Sequence, residues 1–502
     1  MINLKLDDPE AAERHELDLA TVKRRTVRGV VTLIIRNQLS TLITVAGFAL
    51  LSAKFRENEI GTYILVSAVI DIFTYFSDVG LAAALVQKKT TPTLQEFRSS
   101  FTLQQLLVTT SVVAIFLLSP FVRQWNHLQP TQMTLLYALA FSFWLVSFKS
   151  IPSVMLERKL EFQKIVLVAL LETAVFNFLL VLLAYQGFGL NSYTVAVLGR
   201  AFVGVTALYL ISPWQVGLSF KFSNLKSLFR FGVPYQVNSL IALIKDRLTI
   251  VFLGGIIGPG AIGFAGWAER NANQVLRAFM DPVNTVTFPA YSRLQDDRAE
   301  LGRTVSKSLF FITALVFPVV ITMAILAPWV LMLIPVYLHW SPALAALDFY
   351  IINAMWAAIS THLTNVLNSI GKIKWNTYLM LFWTALTWLL IPSLALKFGY
   401  TGMAIGTAIV GCTSFIPIIL VRREVPFSLA GVFKVLVSSA FLGIVLVLGR
   451  FILPVSWISL FTIGLAGTAV YLLSIYVLTE GMVVTEAKTL LLLIRKHEAK
   501  KA

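Results

Sequence analysis

Fourteen ionisable residues stand inside long apolar runs of this sequence: Arg36, Asp71, Asp78, Lys149, Glu172, Arg200, Lys245, Asp246, Arg247, Glu269, Arg270, Arg277, Asp281 and Asp348. Charge at bilayer depth is costly, so by default it faces a bundle interior or a water-filled cavity and marks a pathway for an ionic ligand. Seven of these residues are basic and seven acidic, so sign alone does not name the ligand. Depth divides them further. Arg200, Lys245, Asp246, Arg247, Glu269 and Arg270 fall in the outer halves of their runs, four cations against two carboxylates. Arg270, Gln274, Arg277 and Asp281 follow near-helical spacing, as do Ser67, Asp71, Thr74 and Asp78, so two helices each carry a polar stripe on one face. Structural alternatives stand beside the functional ones. Arg277 and Asp281, four apart, can neutralise each other. Asp78 and Asp348 lie near run ends and can simply meet water. Lys245, Asp246 and Arg247 are consecutive and point in different directions, so one of them can snorkel or pair with its neighbour. Arg36, beside Asn37 and Gln38, reads equally as a headgroup anchor or a cavity residue. Arg270 and Asp71 are hardest to assign to anything but a cavity.

The elements that must carry these residues are membrane helices. The chain is 57% hydrophobic and only 13% charged, with a mean hydropathy of +0.79, whereas a soluble domain carries roughly 25% charge. Apolar runs long enough to cross the hydrocarbon core fall at 30–53, 60–86, 101–122, 133–156, 165–186, 193–213, 229–254, 260–290, 308–336, 343–370, 376–397, 401–421, 431–453 and 456–478. One alternating set of connections holds 29 Lys and Arg, and the other holds only Lys54, Arg56, Arg123, Lys397 and Arg450. This bias places the first set, with both termini, in the cytoplasm. It also supports a count of about fourteen, because one run more or fewer would scramble the alternation. The polar first 26 residues do not read as a secretory signal peptide.

The chain also repeats. Ile60-Gly61-Thr62-Tyr63 matches Ile262-Gly263-Phe264-Ala265. The stretch from Leu156 to Gly187-Phe188-Gly189 matches the one from Leu367 to Gly399-Tyr400 at a nearly constant offset. A duplicated six-helix unit follows. Because six is even, its copies share one orientation about an axis along the membrane normal. The expected organisation is a cytoplasmic tail (1–26), an N-lobe of spans 1–6 (27–222), a C-lobe of spans 7–12 (223–425), two additional spans (426–479) and a cytoplasmic C-terminal tail (480–502).

Several functions are excluded or disfavoured. The net charge of +16 is scattered in twos and threes between apolar runs, which argues for membrane topology rather than nucleic acid. Cys412 is the single cysteine, and His15, His127, His339, His362 and His497 form no ligand spacing. No metal and no cofactor is therefore expected. No G-x-x-x-x-G-K-[ST] occurs, and Gly254-Gly255-Ile256-Ile257-Gly258-Pro259-Gly260 reads as a tight turn between two helices. The connections are too short for a catalytic domain, so the chain is not expected to be an enzyme.

Asp78-Val79-Gly80-Leu81-Ala82-Ala83-Ala84-Leu85-Val86-Gln87 resembles the D-x-G-L-x-x-A-L-V-Q segment of bacterial polysaccharide exporters. Leu156-Glu157-Arg158-Lys159-Leu160-Glu161-Phe162 looks like that family's L-x-R-x-L-x-F. Similarity continues from Phe231-Gly232-Val233-Pro234 through Asp246 to Phe288-Pro289-Ala290-Tyr291-Ser292-Arg293-Leu294-Gln295. The resemblance is to the Wzx-type oligosaccharide flippases, near the colanic- and teichuronic-acid exporter branch. Their superfamily also holds multidrug MATE exporters and lipid II flippases. It implies an all-α integral membrane fold, a MATE-like pair of six-helix lobes that alternate access. The implied substrate is an undecaprenyl-pyrophosphate type of lipid-linked oligosaccharide, moved outward across the bacterial inner membrane, and association with polysaccharide polymerase machinery is the further partner expectation. Pyrophosphate needs cations held out of bulk water, for which Arg36, Arg270 and one of Lys245 or Arg247 are the first candidates, with Arg200 beside them. Asp71 and Glu269 are candidates to carry a coupling proton or sodium ion. The polyprenyl tail stays in membrane lipid. A MATE-like multidrug or cation antiporter is the competing expectation.

Overall fold

The computed structural model describes residues 38–77, 81–88, 90–220 and 240–480. Among these residues all the regular structure is helical, with no strand. The first helices are α1 (Gln38–Lys54), α2 (Glu57–Ser77), α3 (Leu81–Gln87) and α4 (Leu94–Trp125). Next come α5 (Pro130–Ser147), α6 (Ser150–Arg158), α7 (Phe162–Tyr185) and α8 (Asn191–Ile211). A π turn (Ile244–Leu248) leads into α9 (Thr249–Arg293), followed by α10 (Arg298–Leu333), a 3₁₀ segment (Pro335–Ala343) and α11 (Leu344–Ser369). The last helices are α12 (Ile373–Cys412), α13 (Phe415–Glu424), α14 (Ala430–Ile452) and α15 (Trp457–Leu478).

Each of the fourteen apolar runs read from the sequence lies on helix, in whole or in part. Nine helices among the described residues are long and apolar enough to cross a membrane, or ten if α5 and α6, bent by 41°, form one span. Two of the nine cannot be single crossings. Leu240–Arg293 and Ile373–Glu424 contain 54 and 52 residues, which at 1.5 Å per residue is about 80 Å of helix against a core of about 30 Å. Each is broken at a glycine: Gly258 (φ 80°, ψ 163°) and Gly399 (φ 60°, ψ −139°). Such a backbone is open to glycine and strained for other residues. The seven-residue glycine cluster is therefore the tight turn expected. Gly187 at the end of α7 has φ 89°, so the two connectors matched by the internal repeat both turn through a left-handed glycine.

The chain forms two compact units, 1–263 and 264–502. In the first, α7 and α8 lie along each other, α8 packs on α5, and α2 packs against α4 and α5. Polar threads cross these contacts: Gln132 donates to Thr62 (2.7 Å) and Gln105 to Ser147 (2.8 Å). Gly254 and Gly255 let α9 approach Leu65, Asn126 and Trp125, and the Trp125 indole donates to the Phe252 carbonyl at 3.3 Å.

In the second unit α10 is packed by α11, α14 and α15, while α11 carries α12 and α13. The two C-terminal spans are integral to this unit. Arg450 reaches the Ile325 carbonyl (2.6 Å), Tyr471 donates to the Ala314 carbonyl (2.8 Å), and Gly431 admits the ring of Phe310.

Candidate functional site

The π turn brings the charged triplet to α2. Arg247 Nε lies 2.9 Å from Asp71 Oδ2, and both side chains are about half exposed, at 47% and 46%. Lys245 pairs with Asp246 within the same turn. Two cations and two carboxylates thus share one small region of the first unit. Asp71 lies in the last two turns of α2, inside the apolar run 60–86. Charge within an apolar run is costly against lipid, so this half-exposed pair by default faces a watery or ligand-filled space. The π turn itself is an irregularity of a kind that is frequent at functional sites.

The remaining candidates are distributed differently. Arg36 lies outside the described residues, as does Asp78. Arg200 on α8 is exposed and its guanidinium stands 5.8 Å from the centre of the Phe176 ring, a cation–π placement. Glu269 and Arg270 are adjacent on α9 in the second unit, both exposed, and Asn273 donates to Glu269 at 3.4 Å. Arg277 and Asp281 are exposed and make no ion pair with each other, so the mutual neutralisation considered from their spacing does not occur.

Lys149 and Glu172 form an ion pair unlike the first. Their side chains are only 18% and 11% exposed. Gly204 on α8 closes over the carboxylate, since a Cβ there would come within 1.7 Å of Glu172 Oε1. Lys149 occupies the bend between α5 and α6 and reaches α7, so the pair ties three helices together. Its partners were visible in the sequence as intramembrane charges, but their pairing was not.

Two further groupings have contacts that no sequence pattern names. Tyr291 hydroxyl contacts His362 Nε2, and His362 Nδ1 lies 3.2 Å from Asn284 Oδ1, within the second unit. His362 is fully buried. Arg158 explains why two distant motifs belong together. Its guanidinium donates to the carbonyls of Leu85 (2.7 Å), Val86 (3.1 Å), Lys88 (2.9 Å) and Thr90 (3.2 Å). The basic residue of Leu156-Glu157-Arg158 thereby satisfies the orphan carbonyls at the end of α3, the segment that closes the Asp78–Gln87 motif.

The helices and their broken spans define a multi-pass membrane protein with a MATE-like fold. One similar solved structure is a lipid II flippase MurJ in an inward closed conformation. It has a TM-score of 0.74 and 14% identity, and the match covers 91% of this chain and 100% of that one. Another is an inward-facing multidrug resistance MATE family transporter, with a TM-score of 0.58 and 15% identity over 79% of this chain and 98% of that one. The polysaccharide biosynthesis protein family model matches residues 55–340, more than half the chain, and the chain belongs to that family. Among known proteins, the lipopolysaccharide biosynthesis protein WzxC of Escherichia coli (strain K12) is 23% identical over 290 residues, 54% of this chain and 55% of WzxC. The succinoglycan biosynthesis transport protein ExoT of Rhizobium meliloti (strain 1021) is 23% identical over 164 residues, a third of each chain. The matches thus span about half the length of one relative and a third of the other.

Proposed function

We propose that this chain is a flippase that carries an undecaprenyl-pyrophosphate type of lipid-linked oligosaccharide from the cytoplasmic to the outer leaflet of the bacterial inner membrane. It does so without catalysis, by alternating access of two six-helix lobes, 27–222 and 223–425, with both termini in the cytoplasm. The observation that carries this reading is the half-exposed Arg247–Asp71 pair set within apolar runs, with Lys245 beside it, in a chain of the polysaccharide biosynthesis family. Arginine grips phosphate oxygens through a planar fork, and the polyprenyl tail can remain in lipid while the charged group crosses. Arg36, Arg200 and Arg270 complete the set of cationic candidates. Asp71 and Glu269 are the carboxylates available for a coupling proton or sodium ion, and the exported glycan would pass to a polymerase. The fold likeness to a multidrug transporter favours one alternative, export of organic cations.

Transport of a fluorescent lipid-linked oligosaccharide in proteoliposomes, normalised to inserted protein, tests both readings. Arg270→Ala and Arg247→Ala each remove a contact worth about 2–5 kcal/mol and should lower apparent affinity tenfold or more. Arg270→Lys should retain part of the activity, and Arg270→Glu none. Undiminished transport by Arg270→Glu would remove that residue from the site. Efflux of organic cations by the parent protein, without glycolipid transport, would replace the flippase reading.

A further inference from the structure

Both cations of the charged turn already have a carboxylate partner. Arg247 is held by Asp71 and Lys245 by Asp246, so the four side chains together are neutral. A site that only attracted anions would leave its cations exposed to the ligand. We propose that Asp71 is an internal stand-in for the substrate's phosphate: it occupies the Arg247 guanidinium until pyrophosphate displaces it. The proposal rests on the flippase reading above and deepens it.

The geometry supplies the argument. Carboxylate and phosphate oxygens compete for the same guanidinium donors, and Asp71 holds Nε at 2.9 Å. Among the described residues Arg247 makes no other ion pair, so it has one internal partner to exchange. Both partners are about half exposed, and an incoming anion can reach either. The Lys149–Glu172 pair offers the opposite case. It is nearly enclosed, with Gly204 of α8 packed directly on the carboxylate. Exchange therefore belongs to the Asp71 pair alone of these two.

A cost accompanies the exchange. Once pyrophosphate takes Arg247, Asp71 is left beside a like charge in a medium less polar than water, where repulsion at a few ångströms is large. Substrate binding must then be stronger whenever Asp71 is neutral. An amide at this position would mimic neutralisation by a bound cation and should tighten binding rather than leave it unchanged.

Binding of farnesyl pyrophosphate to the full-length protein in nanodiscs tests this. Asp71→Asn should bind the probe about five- to tenfold tighter than the parent, at the low end for two coupled sites. Arg247→Gln should bind at least about tenfold more weakly. The double variant should match Arg247→Gln, because Asp71 acts only through Arg247. If Asp71→Asn is not monodisperse, Asp71→Ser serves the same comparison. Equal or weaker binding by the neutral Asp71 variants overturns the proposal, as does tightening that persists without Arg247. Failure of the parent and every variant to bind the probe overturns the flippase reading itself.

Discussion

The Arg247–Asp71 and Lys149–Glu172 pairs join the same two kinds of charge in the same unit, yet they are built for different fates. The first is about half exposed and joins the last two turns of α2 to an irregular turn. The second is nearly enclosed, bridges the α5–α6 bend to α7, and is sealed by Gly204. An enclosed pair is worth most when intact, because removing one partner strands a charge in a low-dielectric interior. An exposed pair contributes little to folding, so its charges remain available to a ligand. Burial, rather than charge type, separates the structural pair from the exchangeable one.

The sharpest test of that contrast removes one partner from each. Glu172→Ala should destabilise the protein by about 3–5 kcal/mol, read as a lower Tm in detergent or loss of monodisperse protein. Lys149→Met combined with Glu172→Leu should recover much of that loss, since an apolar pair of similar volume leaves no stranded charge. A double variant as unstable as Glu172→Ala would show that the pair acts through more than charge burial.

Gly204→Val should come next. Its side chain must displace the Glu172 carboxylate, a crowding typically worth about 1–3 kcal/mol, and the Tm should fall without direct loss of any charge. An unchanged Tm would mean that the lid over the enclosed pair is looser than its geometry. Asp71→Asn should have the smallest effect on stability, within about 1 kcal/mol, despite its effect on ligand binding. A Tm loss rivalling that of Glu172→Ala would erase the distinction between the two pairs.

A last test perturbs neither pair and fixes the side of the membrane from which each is reached. In a Cys412→Ser background, a cysteine at the exposed Asn191 should react with an impermeant thiol reagent in intact cells, and one at the exposed Asp296 should not. The reverse pattern would invert the orientation.

The positions of the helices were legible because bilayer thickness imposes run length. The turn at Gly258 could also be read, since a cluster of glycine and proline between two apolar runs has few other uses. The pairings could not. Asp71 and Arg247 are far apart in sequence, and nothing in either local pattern names the other. Arg277 and Asp281, four apart, have the spacing of a pair and do not form one. Glu172 and Lys149 were both visible as intramembrane charges, but their enclosure depends on a missing side chain at Gly204, which no charge pattern reports. Arg158 stood in a recognisable motif whose physical task, capping the end of α3, became clear only when the helix end was placed beside it.

The π turn at Ile244–Leu248 has a consequence for helix phase. Its i→i+5 spacing accommodates one residue more than an α-helical turn would. Deleting one residue within it would restore an α-helix and rotate everything N-terminal to it by about 100° relative to α9, one residue's share of a 3.6-residue turn. The apolar residues Leu240–Leu243 would then face a different neighbour, although no other residue had changed. The charged turn is therefore also a register mark, and its length sets which side of this helix meets the rest of the first unit.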